Sequence, residues 1–270
     1  MDYANILVSA DLGDAAPDRI WLAASLARRF GATLTGAAAN KPSPVILVSD
    51  VYDAMEQEER NAARARAALE QPRELFGRGA GDGTLTDWRP GLADPTRHLV
   101  EQARAADLVV VGRHGPEDEE PGPLGAMPGP VLMEAGRPVL VVPPHLAHLK
   151  AARVVVAWRD GPEARRAVTA ALPFLREADE VLVAAAGADA HRQGVEDVAA
   201  HLARHGAHVT IHLLRGTGRD SEEIIDFALR QDADLIVTGA YGHSRLREWV
   251  FGSFTRDLLD RSPVCCLMSH

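Results

Sequence analysis

The sequence predicts two tandem α/β domains, each a Rossmann-like, doubly wound, five-stranded parallel sheet with helices on both faces. The segment ADLVVVGRHG at 106–115 returns as ADLIVTGAYG at 233–242, an offset of 127 residues. Both halves alternate short apolar runs with helical stretches rich in Ala and Arg, which predicts parallel strands joined by helices. Runs such as LVVV and LIV lack polar alternation, as is typical of strands covered on both faces.

The predicted elements follow the same order in both halves, with one helix between successive strands. First-half strands are predicted at 4–10, 33–38, 83–88, 107–112 and 138–142. Second-half strands are predicted at 153–158, 180–186, 208–213, 234–239 and 264–268. The second-half helices are predicted at 163–176, 191–205, 220–231 and 253–261. We therefore expect domains over 1–144 and 152–270, joined by the linker PPHLAHLKAA at 143–152.

Capping residues mark three helix ends. Asp94 followed by Pro95 predicts a capped helix start, and Ser221 is predicted to cap the helix that follows it. Gly206 is predicted to end the helix before it.

Composition excludes several classes of protein. The net charge of −9 argues against a nucleic-acid clamp, which needs a basic face. Apolar runs of five to seven residues are too short to span a membrane, and the acidic first residues do not resemble an export signal. The two cysteines, Cys265 and Cys266, are adjacent and point to opposite faces of a strand, so they predict neither a disulfide framework nor a zinc cluster. We expect a cytoplasmic protein.

The loop GAYGHSRLREWVFGSFT at 239–255 follows the fourth strand of the second half, where open parallel sheets bind ligands. We expect Gly239 and Gly242 to let the backbone turn tightly and approach a ligand. Gly252 and Ser253 open a helix whose free N–H groups attract an anion. The pattern predicts a phosphate cradle without lysine.

Side chains around this loop add hydrogen-bond donors and charge. Ser253 and Thr255 offer hydroxyl groups, Arg245 or Arg247 supplies charge at the rim, and His243 is a candidate ligand contact. The alternative interpretation is a tight strand-to-helix turn with no ligand.

The spacing of Gly, two residues, Gly, nine residues and Gly-Ser resembles the nucleotide loop of the ATP-binding branch of the universal stress protein family. Asp234, LIVTGAYGHSRLREWVFGS, Thr255 and SPVCCLM fall where that family places its fourth strand, loop, helix and fifth strand. With the repeat, the whole chain resembles a tandem member with an adenine nucleotide α-hydrolase-like fold. The resemblance implies that Gly239, Gly242, Gly252 and Ser253 surround the phosphates of ATP, with or without Mg²⁺, or of another adenine nucleotide.

The second half departs from this pattern at the end of its first strand. The family commonly places there an aspartate that contacts the nucleoside, whereas the ungapped alignment puts Arg159 at that position and Asp160 one residue later. Asp160 therefore contacts the nucleoside only if the strand end is shifted by one residue. A helix-capping role for Asp160 is the equal alternative.

The first half departs in the opposite way. It has Asp11 at the strand end, but its loop reads GRHGPEDEEPGPLGAMP, in which Ala126 and Met127 replace the hydroxyl-bearing cap. Each carboxylate at 117–120 would cost about 1 kcal/mol at 4 Å from a phosphate in bulk water, and about four times that near a protein surface. We expect a solvated, mobile loop that repels a triphosphate; a cation site or a partner surface is the alternative.

The histidines give weak signals. His201 and His205 are four residues apart on a helix and would form half of a metal site, but no third ligand is visible, so no metal site is predicted. His208 and His212 are expected on an exposed polar face of the third strand, opposite Ile211.

These observations favour a stress-response protein that binds ATP or another adenine nucleotide in its second half, with a structural or regulatory first half. Enzyme activity is expected to be absent or limited to slow ATP hydrolysis or autophosphorylation at Ser253, because no metal-holding and nucleophile-positioning groups are visible. The alternative is a nucleotide-free scaffold for a protein or an apolar metabolite, favoured by Arg159. A hydrolase of the related adenine-nucleotide group ranks third. The two fifth strands, VLVV and VCCLM, are expected to pair within the chain, giving a monomer or a homodimer.

Overall fold

The structure is a computed structural model, and it describes residues 2–46, 50–120, 122–187, 189–215, 219–242 and 253–270, with only the backbone of Ser253. In the first half, the strands are β1 (Asn5–Ser9), β2 (Thr33–Ala39), β3 (Thr86–Gly91), β4 (Leu108–Gly112) and β5 (Val139–Val142). The helices of this half are α1 (Ala16–Phe30), α2 (Val51–Ala67), α3 (Glu70–Ala80), α4 (Pro95–Gln102) and α5 (Pro128–Glu134).

The second half repeats the pattern. Its strands are β6 (Arg153–Ala157), β7 (Glu180–Ala185), β8 (Val209–Leu213), β9 (Leu235–Gly239) and β10 (Cys265–Ser269). The helices are α6 (Pro162–Glu177), α7 (Val195–Arg204), α8 (Asp220–Arg230) and α9 (Ser253–Arg261). The predicted α/β fold with tandem, parallel-dominated domains is confirmed.

The described strands form one sheet in the order β3-β2-β1-β4-β5-β10-β9-β6-β7-β8. Neighbouring strands are parallel within each half, whereas β5 and β10 are antiparallel, with Cys266 opposite Val141 and Leu267 opposite Leu140. The order reverses between β1 and β4 in the first half and between β6 and β9 in the second. Each reversal opens a crevice at the carboxyl ends of the strands, where ligands bind in open α/β sheets.

An aromatic cluster joins the two halves on one face of this sheet. The Tyr3 ring lies 5.1 Å from the Phe30 ring and 5.7 Å from the Phe174 ring, and Phe30 and Phe174 are 5.2 Å apart. The Tyr3 hydroxyl donates to the Ala170 carbonyl at 2.7 Å. Since Phe30 ends α1 and Phe174 lies in α6, the cluster packs these two helices together.

The first half contains one helix more than the alternation predicts. The sequence pattern favours a single helix between the second and third strands, but α2 and α3 both lie there. Ala65 is the one residue of α2 that is buried, so α2 projects into solvent. Among the helices that the structure describes, none combines the length and apolar character needed to cross a bilayer.

Two of the three predicted capping residues are confirmed. The Asp94 carboxylate accepts the Arg97 amide, and Gly206 adopts φ +92° just after α7. Ser221 is not a cap, because it lies inside the first turn of α8 and its hydroxyl donates to the Asp257 carboxylate of α9 at 2.6 Å.

The predicted polar face of β8 is only partly correct. His208 is exposed, but His212 is half-buried with its ring 4.9 Å from that of Phe227. On the opposite face, Ile211 is 42% exposed and Leu213 is 52% exposed. β8 is an edge strand that its neighbouring helices cover incompletely, so residue polarity alone does not determine exposure there.

Candidate functional site

The carboxyl ends of β6 and β9 meet the amino terminus of α6 at Gly239. A β-carbon at Gly239 would lie 2.5 Å from the Ala164 amide nitrogen and 2.9 Å from the Glu163 carbonyl carbon. Such distances are well inside van der Waals contact, so only glycine lets β9 end this close to α6. Gly239 is therefore needed for the contact between β9 and α6.

The left-handed residue of the turn is Tyr241, with φ +57°. The expectation that Gly239 and Gly242 supply the tight turn is therefore incomplete, because neither has a positive φ. The Tyr241 amide donates to the Thr255 hydroxyl oxygen at 3.2 Å, and this bond ties the start of the loop to the first turn of α9. Burial and the nearby Asp260 carboxylate raise the pKa of the Tyr241 phenol.

Thr255 is only 4% exposed and contacts Tyr241, so it holds the start of the loop from the buried side. The backbone of Ser253 begins α9, as predicted. The predicted contacts His243, Arg245 and Gly252 lie outside the described residues. The structure describes the two ends of this loop and brings those ends together.

Glu163 is a site residue that the sequence interpretation missed. A β-carbon at either Gly161 or Gly242 would lie 2.8 Å from Glu163 Oε2, so this carboxylate lies between the first turn of α6 and the glycine loop. The side chain is half-buried. The available signal was an acidic residue directly after Gly161-Pro162, where a helix begins. The charge of the Glu163 carboxylate would therefore act on an anion bound at the glycine loop.

Arg159 occupies the position that Asp11 has in the first half. The Trp158 amide donates to the Ala184 carbonyl as the Ala10 amide donates to the Ala37 carbonyl, so the two strand ends are in register. The one-residue shift that would bring Asp160 to the nucleoside position is absent.

The Asp160 carboxylate binds Arg165 in a bidentate pair, with an Nη2–Oδ2 distance of 2.8 Å. Its predicted capping role is wrong, since the cap residue of α6 is Gly161 and no side chain caps that helix. Arg165, one turn into the helix, attracts the carboxylate away from the free amides of the first turn.

The equivalent crevice of the first half is filled by Arg19. Its guanidinium binds the Asp11 carboxylate and donates to the Ser9 carbonyl at 3.1 Å. A β-carbon at Gly112 would lie 2.6 Å from Arg19 Nη1, so the guanidinium lies directly over the glycine that corresponds to Gly239. Arg19 is 2% exposed and Asp11 is 3% exposed. The family aspartate is therefore engaged by a cation of the chain itself.

The first-half glycine loop, which was expected to be solvated, exposes Glu117, Glu119 and Glu120 but not Asp118. Asp118 has a side chain only 7% exposed; it pairs with Arg113 and accepts the Gly115 amide at 2.7 Å. Burial acts to raise the pKa of Asp118, but the hydrogen bonds from Arg113 and Gly115 outweigh burial and lower it. The expected repulsion of a triphosphate by four free carboxylates is wrong for this one.

No group of three His, Cys, Asp or Glu side chains within the described ranges could hold a metal ion. The His201 and His205 rings contact each other, with centroids 4.7 Å apart. An open cavity of about 610 Å³ lies at the amino ends of the strands, lined by Arg153, Asp179, Glu180 and 208–210. It lies at the opposite edge of the sheet from the glycine loop.

Comparison with known proteins connects this geometry to a family. The sequence profile of the Universal stress protein family matches residues 2–143 and again 150–270. No curated protein sequence matches the chain.

Two solved structures of similar fold cover nearly all of the chain, and a third covers about half of it. A universal stress protein from Archaeoglobus fulgidus DSM 4304 aligns with a TM-score of 0.71 at 15% identity, covering 97% of each chain. A putative universal stress protein from Pseudomonas aeruginosa UCBPP-PA14 aligns with a TM-score of 0.58 at 16% identity, covering 98% of this chain and 92% of its own. A universal stress protein in complex with cAMP aligns with 53% of this chain and 99% of its own, at 25% identity and a TM-score of 0.38.

Two family matches therefore span nearly all of the chain, one in each half, and they agree with a fold in which each half carries its own strand-order reversal and glycine loop. The chain belongs to the universal stress protein family, as a tandem member.

Proposed function

We propose that the second half binds one adenine nucleotide, ATP in the first instance, and that the chain acts in the stress response as a nucleotide-binding protein. The observation that carries this proposal is the contrast between the two crevices. Arg19 lies over Gly112 in the first-half crevice, whereas the three described atoms nearest to a β-carbon at Gly239 all belong to Glu163 and Ala164 of α6. We therefore expect one nucleotide per chain.

The second-half crevice has the chemistry that a polyphosphate requires. α6 and α9 both begin beside Gly239–Gly242, so the free amides and positive dipole ends of two helices lie at one crevice. A helix N-terminus stabilises an anion by about 0.3–1 kcal/mol, and by up to about 2 kcal/mol where the site is partly buried. The proposed nucleotide contacts are Gly239, Gly242, Gly252 and Ser253, with His243 and Arg245 at the rim.

Glu163 fits a role as an oxygen ligand for Mg²⁺ beside the phosphates, because Mg²⁺ in nucleotide sites is commonly held by one or two carboxylates and by phosphate oxygens. When bound, Mg²⁺ would neutralise part of the negative charge of the phosphates and of the Glu163 carboxylate. Thr255 and Tyr241 hold the loop against α9, so we assign them a positioning role. Asp160 would contact the nucleoside only with a one-residue shift of the strand end, which is absent, so it is left out of the proposed contacts.

Calorimetric titration of ATP with Mg²⁺ into the full chain tests the proposal. We expect saturable binding at one site per chain and strong weakening in Gly239→Ala, whose β-carbon would collide with α6. Gly77→Ala is the matched control, because a β-carbon at Gly77 in α3 meets nothing within 4 Å. Two sites per chain, or equal effects of both variants, would refute the assignment.

A nucleotide-free scaffold is the second candidate, and Arg159 at the end of β6 favours it because the family aspartate is missing there. The absence of binding at millimolar ATP and at millimolar AMP would select this candidate. We further propose that the β5–β10 pairing makes the chain a self-contained pseudo-dimer, with a homodimer as the alternative. Size-exclusion chromatography with light scattering distinguishes the two, and a large polydisperse assembly would contradict both.

A further inference from the structure

Arg113 connects the first-half glycine loop to the end of helix α9 in the second half. Its Nη1 donates to the Ser262 carbonyl at 2.9 Å, and its Nε donates to the Asp118 carboxylate at 2.9 Å. The side chain of Arg113 is 16% exposed. Asp118 thus orients a guanidinium that reaches 149 residues along the chain.

Gly115 brings the same loop into backbone contact with α9. A β-carbon at Gly115 would overlap the carbonyl oxygen of Asp260 and lie 2.8 Å from its carbonyl carbon. The contact is to backbone atoms, so no side-chain rotation could relieve it. We call residues 113–118 the α9 seat.

The charges of the seat match the helix end that it holds. The last carbonyls of an α-helix have no partners within the helix and carry the negative end of its dipole. Arg113 places a cation there, and the Asp118 carboxylate keeps that cation in position while accepting the Gly115 amide. Asp118 therefore orients one cation, the Arg113 guanidinium, at the end of α9.

Contacts in the other direction complete the connection. The Tyr241 hydroxyl lies 3.4 Å from where a β-carbon at Gly129 would be, so the start of the second-half loop packs against α5 of the first half. The first-half loop thus contacts the end of α9, and the start of the second-half loop contacts α5.

We propose that the first-half glycine loop is a docking seat for α9, and that Arg113, Gly115 and Asp118 are positioning residues for the anion site at the opposite end of that helix. Nine residues of α-helix are about 13 Å long and stiff, so a change at Asp260 shifts or tilts Ser253. The docking stands independently of ligand binding, whereas the effect on the anion site rests on the proposed nucleotide function.

Hydrogen exchange of the ligand-free full chain tests the docking. In Gly115→Ala and Arg113→Ala we expect the α9 amides at 257–261 to exchange at least tenfold faster than in the unmutated chain. The α7 amides serve as an internal reference and are expected to change less than threefold. Gly77→Ala is the matched glycine control. Equal acceleration in α7 and α9, or no acceleration in α9, would overturn the proposal.

Nucleotide titration tests the positioning. We expect the Kd for Mg·ATP to rise at least fivefold in Gly115→Ala and less in Asp118→Asn, which keeps an acceptor for the Gly115 amide. A purely structural role would lower thermal stability and leave the Kd of the folded fraction unchanged, and this result would refute positioning. If the unmutated chain binds no nucleotide, the proposed function and the positioning fall together, and hydrogen exchange still decides the docking.

Discussion

Arg19 and Asp11 form an ion pair that is sealed from solvent in the first-half crevice. The second Asp11 oxygen accepts the Gly13 amide at 3.0 Å, so this carboxylate is satisfied on both sides. The first half therefore keeps the family aspartate as a structural residue.

Removing Arg19 is expected to destabilise the fold strongly. Breaking one side of a buried ion pair typically costs about 3–5 kcal/mol, because the remaining charge stays desolvated. Urea unfolding of Arg19→Met is expected to show a loss in this range. The double variant Arg19→Met/Asp11→Leu is expected to recover much of it, and a double variant no more stable than the single one would contradict this account.

Replacing Glu163 by glutamine is expected to separate the electrostatic roles of this carboxylate. Without Mg²⁺, its negative charge opposes phosphate binding, so Glu163→Gln is expected to bind ATP about tenfold more tightly in EDTA, as about 1.4 kcal/mol of relieved repulsion would give. With Mg²⁺ the gain is expected to shrink or reverse. The measurement is calorimetry with and without the cation.

Glu101→Gln is the matched control for that experiment, since Glu101 pairs with Arg97 in α4, away from the second-half loop. An unchanged ratio of Mg²⁺-bound to Mg²⁺-free affinity in Glu163→Gln would show that the carboxylate does not act on the ligand.

The pairing of Asp118 predicts a specific acid sensitivity. The pKa of Asp118 is lowered in the folded chain, from an ordinary value of 3.8. Its contribution to stability is therefore complete above pH 3.8 and is lost as the pH falls through the lower folded value. We expect the stability difference between the unmutated chain and Asp118→Asn to disappear below that value. Thermal unfolding across pH 2–6 measures it, and a difference that is independent of pH would count against the pairing.

Both thiols are expected to be inert in the folded protein. Burial raises the pKa of Cys266 to about 12 and that of Cys265 well above its usual range. Since the thiolate is the reactive form, a chromogenic disulfide reagent at pH 8 is expected to react slowly with the native chain and to titrate two thiols in urea. Rapid modification of the native chain would show that β10 opens readily.

The domain limits 1–144 and 152–270 remain predictions, although the two family matches at 2–143 and 150–270 lie close to them. Limited proteolysis within the linker at 143–152 tests them. We expect cleavage there to leave the two halves associated, because β5 and β10 hydrogen-bond to each other. Separation of the fragments in native chromatography would contradict this expectation.

The sequence by itself determined the repeated α/β architecture, because buried parallel strands require unbroken apolar runs and each run here is followed by a helical pattern. It also identified Gly239 as a glycine needed for close approach, although the expected partner was a ligand and the observed one is the first turn of α6. The sequence could not show which group fills the first-half crevice or which groups hold α9 in place.

Tertiary structure decided those matters. Arg19 and Asp11 are eight residues apart, and nothing in their spacing predicts a buried pair over Gly112. Arg113 contacts Ser262 across 149 residues. Asp118 was expected to repel a phosphate because its pairing with Arg113 was not visible in the sequence. The local sequence pattern shows which residues recur on a buried face. Which charged groups pair depends on how the folded chain brings strands, helices and loops together, within one half for Arg19 and between the halves for Arg113.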